Sequence, residues 1–216
     1  MKFDAVLFDC DGVLVDSEPI TNSVLRDMLH ELGWELTVEE CITHFVGKAL
    51  KEEVAIISKH IGRDVGPEWL AAFQERRNAA LRERLTAIPN IHAAVHDIHA
   101  HHGARIACAS GADRFKVEMQ LRQTGLMPYF EGRIFSGYET PRSKPFPDVY
   151  LAAAAALQAS PHRCAVVEDT VTGVSAGVAA GAFVYAYAPS GDGAKLRAAG
   201  ASWVFQDMAE LPALMR

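Results

Sequence analysis

Four short stretches carry residue types that could do chemistry together: Asp9-Cys10-Asp11, Ser110-Gly111, Lys144, and Glu168-Asp169. Three carboxylates, those of Asp9, Asp11 and Asp169, would repel one another at close range unless a cation lay between them. Hard oxygen ligands of this kind suit Mg2+, with waters and a phosphate oxygen completing an octahedron. Lys144 is a point cation suited to a phosphate. The Ser110 hydroxyl and the backbone N–H groups near Gly111, ahead of a helix, can hydrogen-bond two phosphate oxygens. These parts permit in-line attack on phosphorus by a carboxylate. Asp11 could then protonate the leaving oxygen and later activate water. Any one stretch alone says little: an Asp-x-Asp is commonly a turn, and an acidic pair after a strand is commonly a helix cap. Their weight comes from where they fall along the chain.

The elements that must position them are legible as periodicities. Ala5-Val6-Leu7-Phe8 is a short apolar run stopped by Asp9, as expected of a strand buried on both faces. After Ala87 strands alternate with helices. Strands are expected at 105–109, 134–136, 164–167, 183–187 and 203–205, and helices at 91–99, 114–123, 147–157, 172–180 and 194–199. Such alternation implies a parallel sheet covered by helices, an α/β, Rossmann-like core. Ligands of an open parallel sheet bind beyond the carboxyl ends of its strands. Asp9 and Asp11, Ser110, the Lys144 loop and Glu168-Asp169 all follow predicted strands, so this fold gathers them along one edge. From Ile20 to Leu85 the texture is helical instead. Ser17-Glu18-Pro19 opens one helix, and further helical patterns cover 38–44, 52–60 and 67–85. This reads as a helical module inserted after the first strand.

Composition narrows the function classes. Half of the 216 residues are apolar, 22% are charged, and the net charge is -6, so the surface as a whole does not attract nucleic acid. Cys10, Cys41, Cys108 and Cys164 form no CxxC pair, which suits reduced thiols in a reducing compartment. No secretory signal is visible, and no apolar run approaches transmembrane length. The expectation is a soluble, cytoplasmic protein with no membrane or nucleic-acid partner. No long exposed apolar stripe is obvious, which favours a monomer.

The same stretches resemble the haloacid dehalogenase superfamily of phosphatases. Phe8-Asp9-Cys10-Asp11-Gly12-Val13-Leu14-Val15-Asp16-Ser17-Glu18 is similar to its first motif and Ala109-Ser110-Gly111 to its second. Ser143-Lys144-Pro145 with Pro147-Asp148 resembles the third, and Val167-Glu168-Asp169-Thr170, followed by Gly173, Ala176 and Ala180-Gly181, the fourth. The resemblance implies Asp9 as nucleophile and Asp11 as acid and base, its carbonyl also on Mg2+. It implies Asp169 as a metal ligand, Glu168 near the metal directly or through water, and Ser110, Gly111 and Lys144 on the phosphate. It also implies a discontinuous catalytic core, 1–15 with 88–216, and a helical cap, 16–87, that selects a small phosphate ester. Lys48, Lys51 and Arg77, with Arg76, are the cap cations to expect facing a carboxylate or second phosphate.

Within the superfamily the chain is similar to the β-phosphoglucomutase-like subgroup. Ser136-Gly137-Tyr138 with Pro141-Arg142-Ser143-Lys144-Pro145 resembles bacterial 6-phosphogluconate phosphatases. Mutases of the subgroup carry a His where this chain has Thr21, and a cap-loop Arg where it has Lys48, Ala49 and Leu50. Both departures favour hydrolysis of a sugar or sugar-acid phosphate through a phospho-aspartate over phosphomutase chemistry. A non-catalytic binding protein and a dehalogenase are the remaining alternatives, and the intact acidic set argues against both. Two patterns are decoys on their own chemistry. Cys108-Ala-Ser-Gly111-Ala-Asp-Arg114 fits a cysteine-dependent phosphatase loop, but its thiol lies in an apolar strand and Asp113 would repel phosphate. His92, His96, His99, His101 and His102 lie on and after one helix, with no acidic or Cys partner at a telling spacing, and read as a polar face.

Overall fold

The computed structural model describes residues 3–45, 50–103, 105–191 and 193–216, with residues 50–53 described through their backbone alone. Six parallel strands form one sheet: β1 Ala5–Phe8, β2 Ile106–Ser110, β3 Ile134–Ser136, β4 Cys164–Glu168, β5 Phe183–Tyr187 and β6 Trp203–Phe205. Their order is β3-β2-β1-β4-β5-β6. The first three strands step one way from β1 and the last three step the other way, so the order reverses between β1 and β4. In open parallel sheets such a reversal is where ligands bind, beyond the carboxyl ends of the strands.

Burial explains why the strands read as unbroken apolar runs. Every residue of β1, β2 and β4 is buried. The pleat sends Ala5 and Leu7 to one face, where they join Ala107, Val166, Val149, Tyr150 and Val174 in a core cluster. Phe8 points the other way and meets Phe130 edge-on, with ring centroids 5.9 Å apart. Truncating a buried leucine such as Leu7 would cost about 2–5 kcal/mol.

Eleven α-helices are described: α1 Glu18–Glu31, α2 Val38–Phe45, α3 Leu50–Ile61, α4 Pro67–Arg84, α5 Ile91–His102, α6 Arg114–Gln123, α7 Met127–Phe130, α8 Asp148–Ala156, α9 Val171–Ala179, α10 Ala194–Ala198 and α11 Leu211–Leu214. Helix α5 runs on to His102, past the expected end at 99, and closes at Gly103, whose φ of 56° is the left-handed C-terminal turn that glycine permits. Helices α7 and α11 were not expected, because a single turn leaves no periodicity to read. None of the described helices is long and apolar enough to cross a membrane.

The chain forms two compact units. One comprises Met1–Asp16 with Thr86–Arg216, and the other Ser17–Leu85. In the first, the Asp16 N–H donates to the Thr86 carbonyl at 2.9 Å, tying the point where the chain leaves to the point where it returns. The second holds helices α1 to α4 around its own core of Leu25, Met28, Leu29, Trp34, Phe45 and Phe73. There the Trp34 and His60 rings stack 3.7 Å apart.

Candidate active site

The site stands at the sheet's reversal, on the ends of β1 and β4. Asp9 continues β1 by one residue and donates its N–H to the Val167 carbonyl at 3.0 Å. The chain then turns sharply: the Cys10 carbonyl accepts from the Leu14 and Val15 N–H groups at 2.9 and 3.1 Å, and the Gly12 N–H donates to Val15. Gly12 has a φ of 76°, and a Cβ there would fall 2.0 Å from Asp169 Oδ2. Glycine is therefore needed twice over, for the backbone angle and for the close approach of Asp169.

Lys144 links the two strand ends. Its Nζ lies 2.6 Å from Asp9 Oδ1 and 2.7 Å from Glu168 Oε1. The buried Tyr150, in the first turn of α8, donates its hydroxyl to the same Glu168 oxygen at 2.8 Å. Glu168 Oε2 accepts from the Asp169 N–H, the Thr170 N–H and the Thr170 hydroxyl at 3.0, 3.2 and 3.2 Å. The Thr170 hydroxyl in turn caps α9 by accepting from the Gly173 N–H at 3.0 Å. A Cβ on Gly173 would fall 1.7 Å from Glu168 Oε1, so the carboxylate packs against bare backbone.

Burial dominates the electrostatics. It pushes the Asp9 carboxyl up to about 7; Lys144 opposes this, while the Glu168 and Asp11 charges add to it. Burial pulls the Lys144 amine down, but the Asp9 and Glu168 carboxylates outweigh it and hold the ammonium charged. For Glu168 burial pushes up, and the contacts with Lys144, Tyr150 and Thr170 win, leaving the carboxyl below its ordinary value.

One ligand atom each from Asp9, Glu168 and Asp169 lies within 4.8 Å of the others, the acidic cluster among the described residues that could hold a metal ion. An all-oxygen, anionic donor set suits a hard divalent cation. All three belong to the sequence-based metal set of Asp9, Asp11, Asp169 and Glu168. The Asp11 carboxylate lies outside that group of three. It faces helix α6, where Lys116 Nζ lies 2.9 Å from both its oxygens and Gln120 Nε2 donates to Oδ1 at 2.9 Å. Both Glu168 oxygens already accept hydrogen bonds within the protein.

The phosphate-binding candidates lie at the ends of β2 and β3. Ser110 is buried, and its Oγ accepts from the Ala112 N–H at 3.0 Å. The Ser136 hydroxyl donates to the Ala112 carbonyl at 2.6 Å, bracing the same turn from β3. A Cβ on Gly137 would sit 3.3 Å from Gly111 Cα and 3.2 Å from Ser143 Oγ, so the loops bearing Gly111 and Lys144 meet at glycines.

Residues 3–181 match the family described as haloacid dehalogenase-like hydrolase. The chain belongs to that family. A haloacid dehalogenase-like hydrolase is what the strand-end carboxylates and the bridging lysine fit. The chain is 31% identical over 185 residues to the 6-phosphogluconate phosphatase of Escherichia coli K12, covering 85% of this chain and 82% of that protein. It is 27% identical over 181 residues to the fructose-1-phosphate phosphatase YqaB of the same organism, covering 83% and 94%. A solved hydrolase of the family from Deinococcus radiodurans R1, with bound phosphate and sodium, superposes with a TM-score of 0.81 at 35% identity, covering 99% of this chain and 95% of that one. The enzyme is thus a hydrolase of the phosphatase type.

The decoy patterns dissolve within this hydrolase fold. Cys108 is wholly buried in β2, and Arg114 pairs with both Glu139 oxygens at 2.6 Å and with the Ile134 carbonyl. On α5, His96 bonds the Tyr129 hydroxyl at 3.2 Å and His101 the Asp97 carbonyl at 3.0 Å. No histidine joins a metal-binding group among the described residues. Of the cap cations, Lys48 and the Lys51 side chain fall outside the described residues. Arg77 is buried rather than solvent-facing; it donates to Asn78 Oδ1 at 3.2 and 3.0 Å and lies 5.9 Å from the Phe73 ring centroid. Arg76 is paired with Glu31. Sequence reasoning missed Tyr150, Lys116 and Gln120. The available signal was faint: a polar pair four residues apart on α6, and one tyrosine opening an alanine-rich helix.

Proposed function

We propose that the protein is a Mg2+-dependent phosphatase that hydrolyses a small phosphorylated metabolite, a sugar or sugar-acid phosphate such as 6-phosphogluconate, through a phospho-Asp9 intermediate. The observation that carries this reading is Lys144 Nζ, held 2.6 Å from Asp9 Oδ1 and 2.7 Å from Glu168 Oε1 at the reversal of the sheet. One oxygen of Asp9 is thereby tethered to a cation suited to a phosphate, and the other remains to attack.

Asp9 attacks phosphorus, and the bond to the leaving oxygen breaks as the bond to Asp9 forms. Lys144, the Ser110 hydroxyl and the Gly111 N–H neutralise and orient the phosphoryl oxygens. Asp11 donates the proton that the leaving alkoxide needs and then takes one from the water that attacks phospho-Asp9. Asp9, Asp169 and the Asp11 carbonyl would hold Mg2+, with Glu168 beside them through water. Bound there, Mg2+ would offset charge on the transferring phosphoryl group. Glu168 and Tyr150 fix the Lys144 ammonium.

The four-helix unit, Ser17–Leu85, is assigned the role of substrate-selecting cap, with Lys48 and Lys51 as its candidate anion contacts. The burial of Arg77 makes it the weaker candidate of the three. Support for a sugar-type substrate comes from the relatives named as phosphatases of 6-phosphogluconate and fructose 1-phosphate.

The test is a phosphate-release screen over sugar and sugar-acid phosphates, with Mg2+ and with EDTA, run beside Asp9→Asn. Mg2+-dependent release by the wild type and none by the variant is expected. EDTA-resistant release, or turnover by Asp9→Asn at the wild-type rate, would overturn the reading.

A further inference from the structure

Helix α6 grips the Asp11 carboxylate from one side. Lys116 Nζ contacts both carboxylate oxygens at 2.9 Å, and Gln120 Nε2 donates to Oδ1 at the same distance. Lys116 and Gln120 are four residues apart and so emerge from one face of α6. They are 7% and 0% exposed. The Gln120 amide is itself oriented: its Oε1 accepts from Cys10 Sγ at 3.6 Å, which turns its NH2 group toward Asp11.

Stability alone does not select a lysine here. Lys116 sits in the first turn of α6, where its own N–H donates to the N-cap Asp113 at 2.9 Å. The helix dipole disfavours a cation at that end. Burying an ammonium also carries a desolvation cost that an apolar side chain of similar length avoids. What Lys116 gains there is Asp11.

We infer that Lys116, with Gln120, is a positioning residue that holds Asp11 for its base step. The inference rests on the phospho-Asp9 reading. In that step a water oxygen bonds to phosphorus as the phosphorus–oxygen bond to Asp9 breaks. The water proton passes to the Asp11 carboxylate, and inorganic phosphate and the free Asp9 carboxylate result. Contacts to both oxygens fix the orientation of the carboxylate. Its placement is fixed before water arrives, and a base must lie within hydrogen-bond reach of the proton it takes.

The half-reactions separate on p-nitrophenyl phosphate with Mg2+. Nitrophenolate leaves without an acid, so kcat/KM reports formation of phospho-Asp9, and kcat also contains its hydrolysis. For Lys116→Met, kcat falls about tenfold or more and KM falls with it, while kcat/KM stays within about threefold of wild type and phosphoenzyme accumulates. Lys116→Arg recovers part of kcat. Gln120→Leu shows the same pattern more weakly, and it decides the matter should Lys116→Met fail to fold. A kcat/KM that drops as far as kcat, as general damage to the site would produce, overturns the inference, and so does an unchanged kcat. Full activity of Asp9→Asn would instead remove the phospho-Asp9 reading on which the inference stands.

Discussion

Tyr150 donates its hydroxyl to Glu168 Oε1 at 2.8 Å, the same oxygen that Lys144 contacts at 2.7 Å. Tyr150 is 1% exposed, so no water replaces that bond if it is removed. Tyr150→Phe should lower stability by about 1–3 kcal/mol, the range for a hydrogen bond to a buried charge. Urea unfolding should show a lower midpoint with an unchanged slope.

Gly173 tests how closely the cluster is packed. Its missing Cβ would fall 1.7 Å from Glu168 Oε1 and 1.9 Å from Cδ. Glu168 cannot simply swing aside, since Lys144, Tyr150 and Thr170 hold it. Gly173→Ala should destabilise the fold by about 3 kcal/mol or more and lower phosphate release at least tenfold, by roughly the scale expected when a buried charge network breaks. Thermal unfolding and the release assay read the two effects. Gly12→Ala, whose Cβ would meet Asp169 Oδ2 at 2.0 Å, should instead weaken Mg2+ binding.

Much of this was legible in advance, and the residues show why. Asp9, Ser110 and Glu168 end apolar runs whose burial follows from a sheet covered on both faces, so chain position alone placed them at one edge. Asp11 was harder. It shares a side with Asp9 only if the extended geometry persists, and a tight turn at Gly12 follows instead, with the carboxylate meeting Lys116 and Gln120 of α6. Turn geometry of that kind depends on tertiary contacts. Lys116 and Gln120 do not stand out in the helix expected at 114–123, because burial of a lysine becomes visible only with its partner in place. Tyr150 was hidden in the same way, by an alanine-rich helix that signals helix and nothing more.

The raised Asp9 carboxyl predicts a pH dependence for the metal-free protein. Burial first, and then the Glu168 and Asp11 charges against the pull of Lys144, lift it from 3.8 to about 7. Folding thus favours the protonated form. This contribution to stability is fully present below about pH 4 and is lost as pH rises through about 7. A cation that binds ionised Asp9 must displace its proton. Mg2+ affinity should therefore rise by up to about tenfold per pH unit below 7 and level off above it. Calorimetric titration across that range checks the slope, and a flat profile would contradict it.

Cys108 separates the carboxylate mechanism from a cysteine-dependent one. Its thiol is wholly buried inside β2, away from solvent. Cys108→Ala should keep kcat within about threefold of wild type, and the deleted sulfur should cost roughly 1–2 kcal/mol of stability as a small cavity. Loss of turnover in a folded variant would point to the thiol.

The most direct measurement is the site of covalent phosphorylation. The wild-type enzyme would be mixed with p-nitrophenyl phosphate and Mg2+, quenched in acid during turnover, digested and mapped by mass spectrometry. The account predicts a phosphoryl group on Asp9 and none in Asp9→Asn. A phosphoryl group on Cys108 or any other side chain, with Asp9 unmodified, would contradict it.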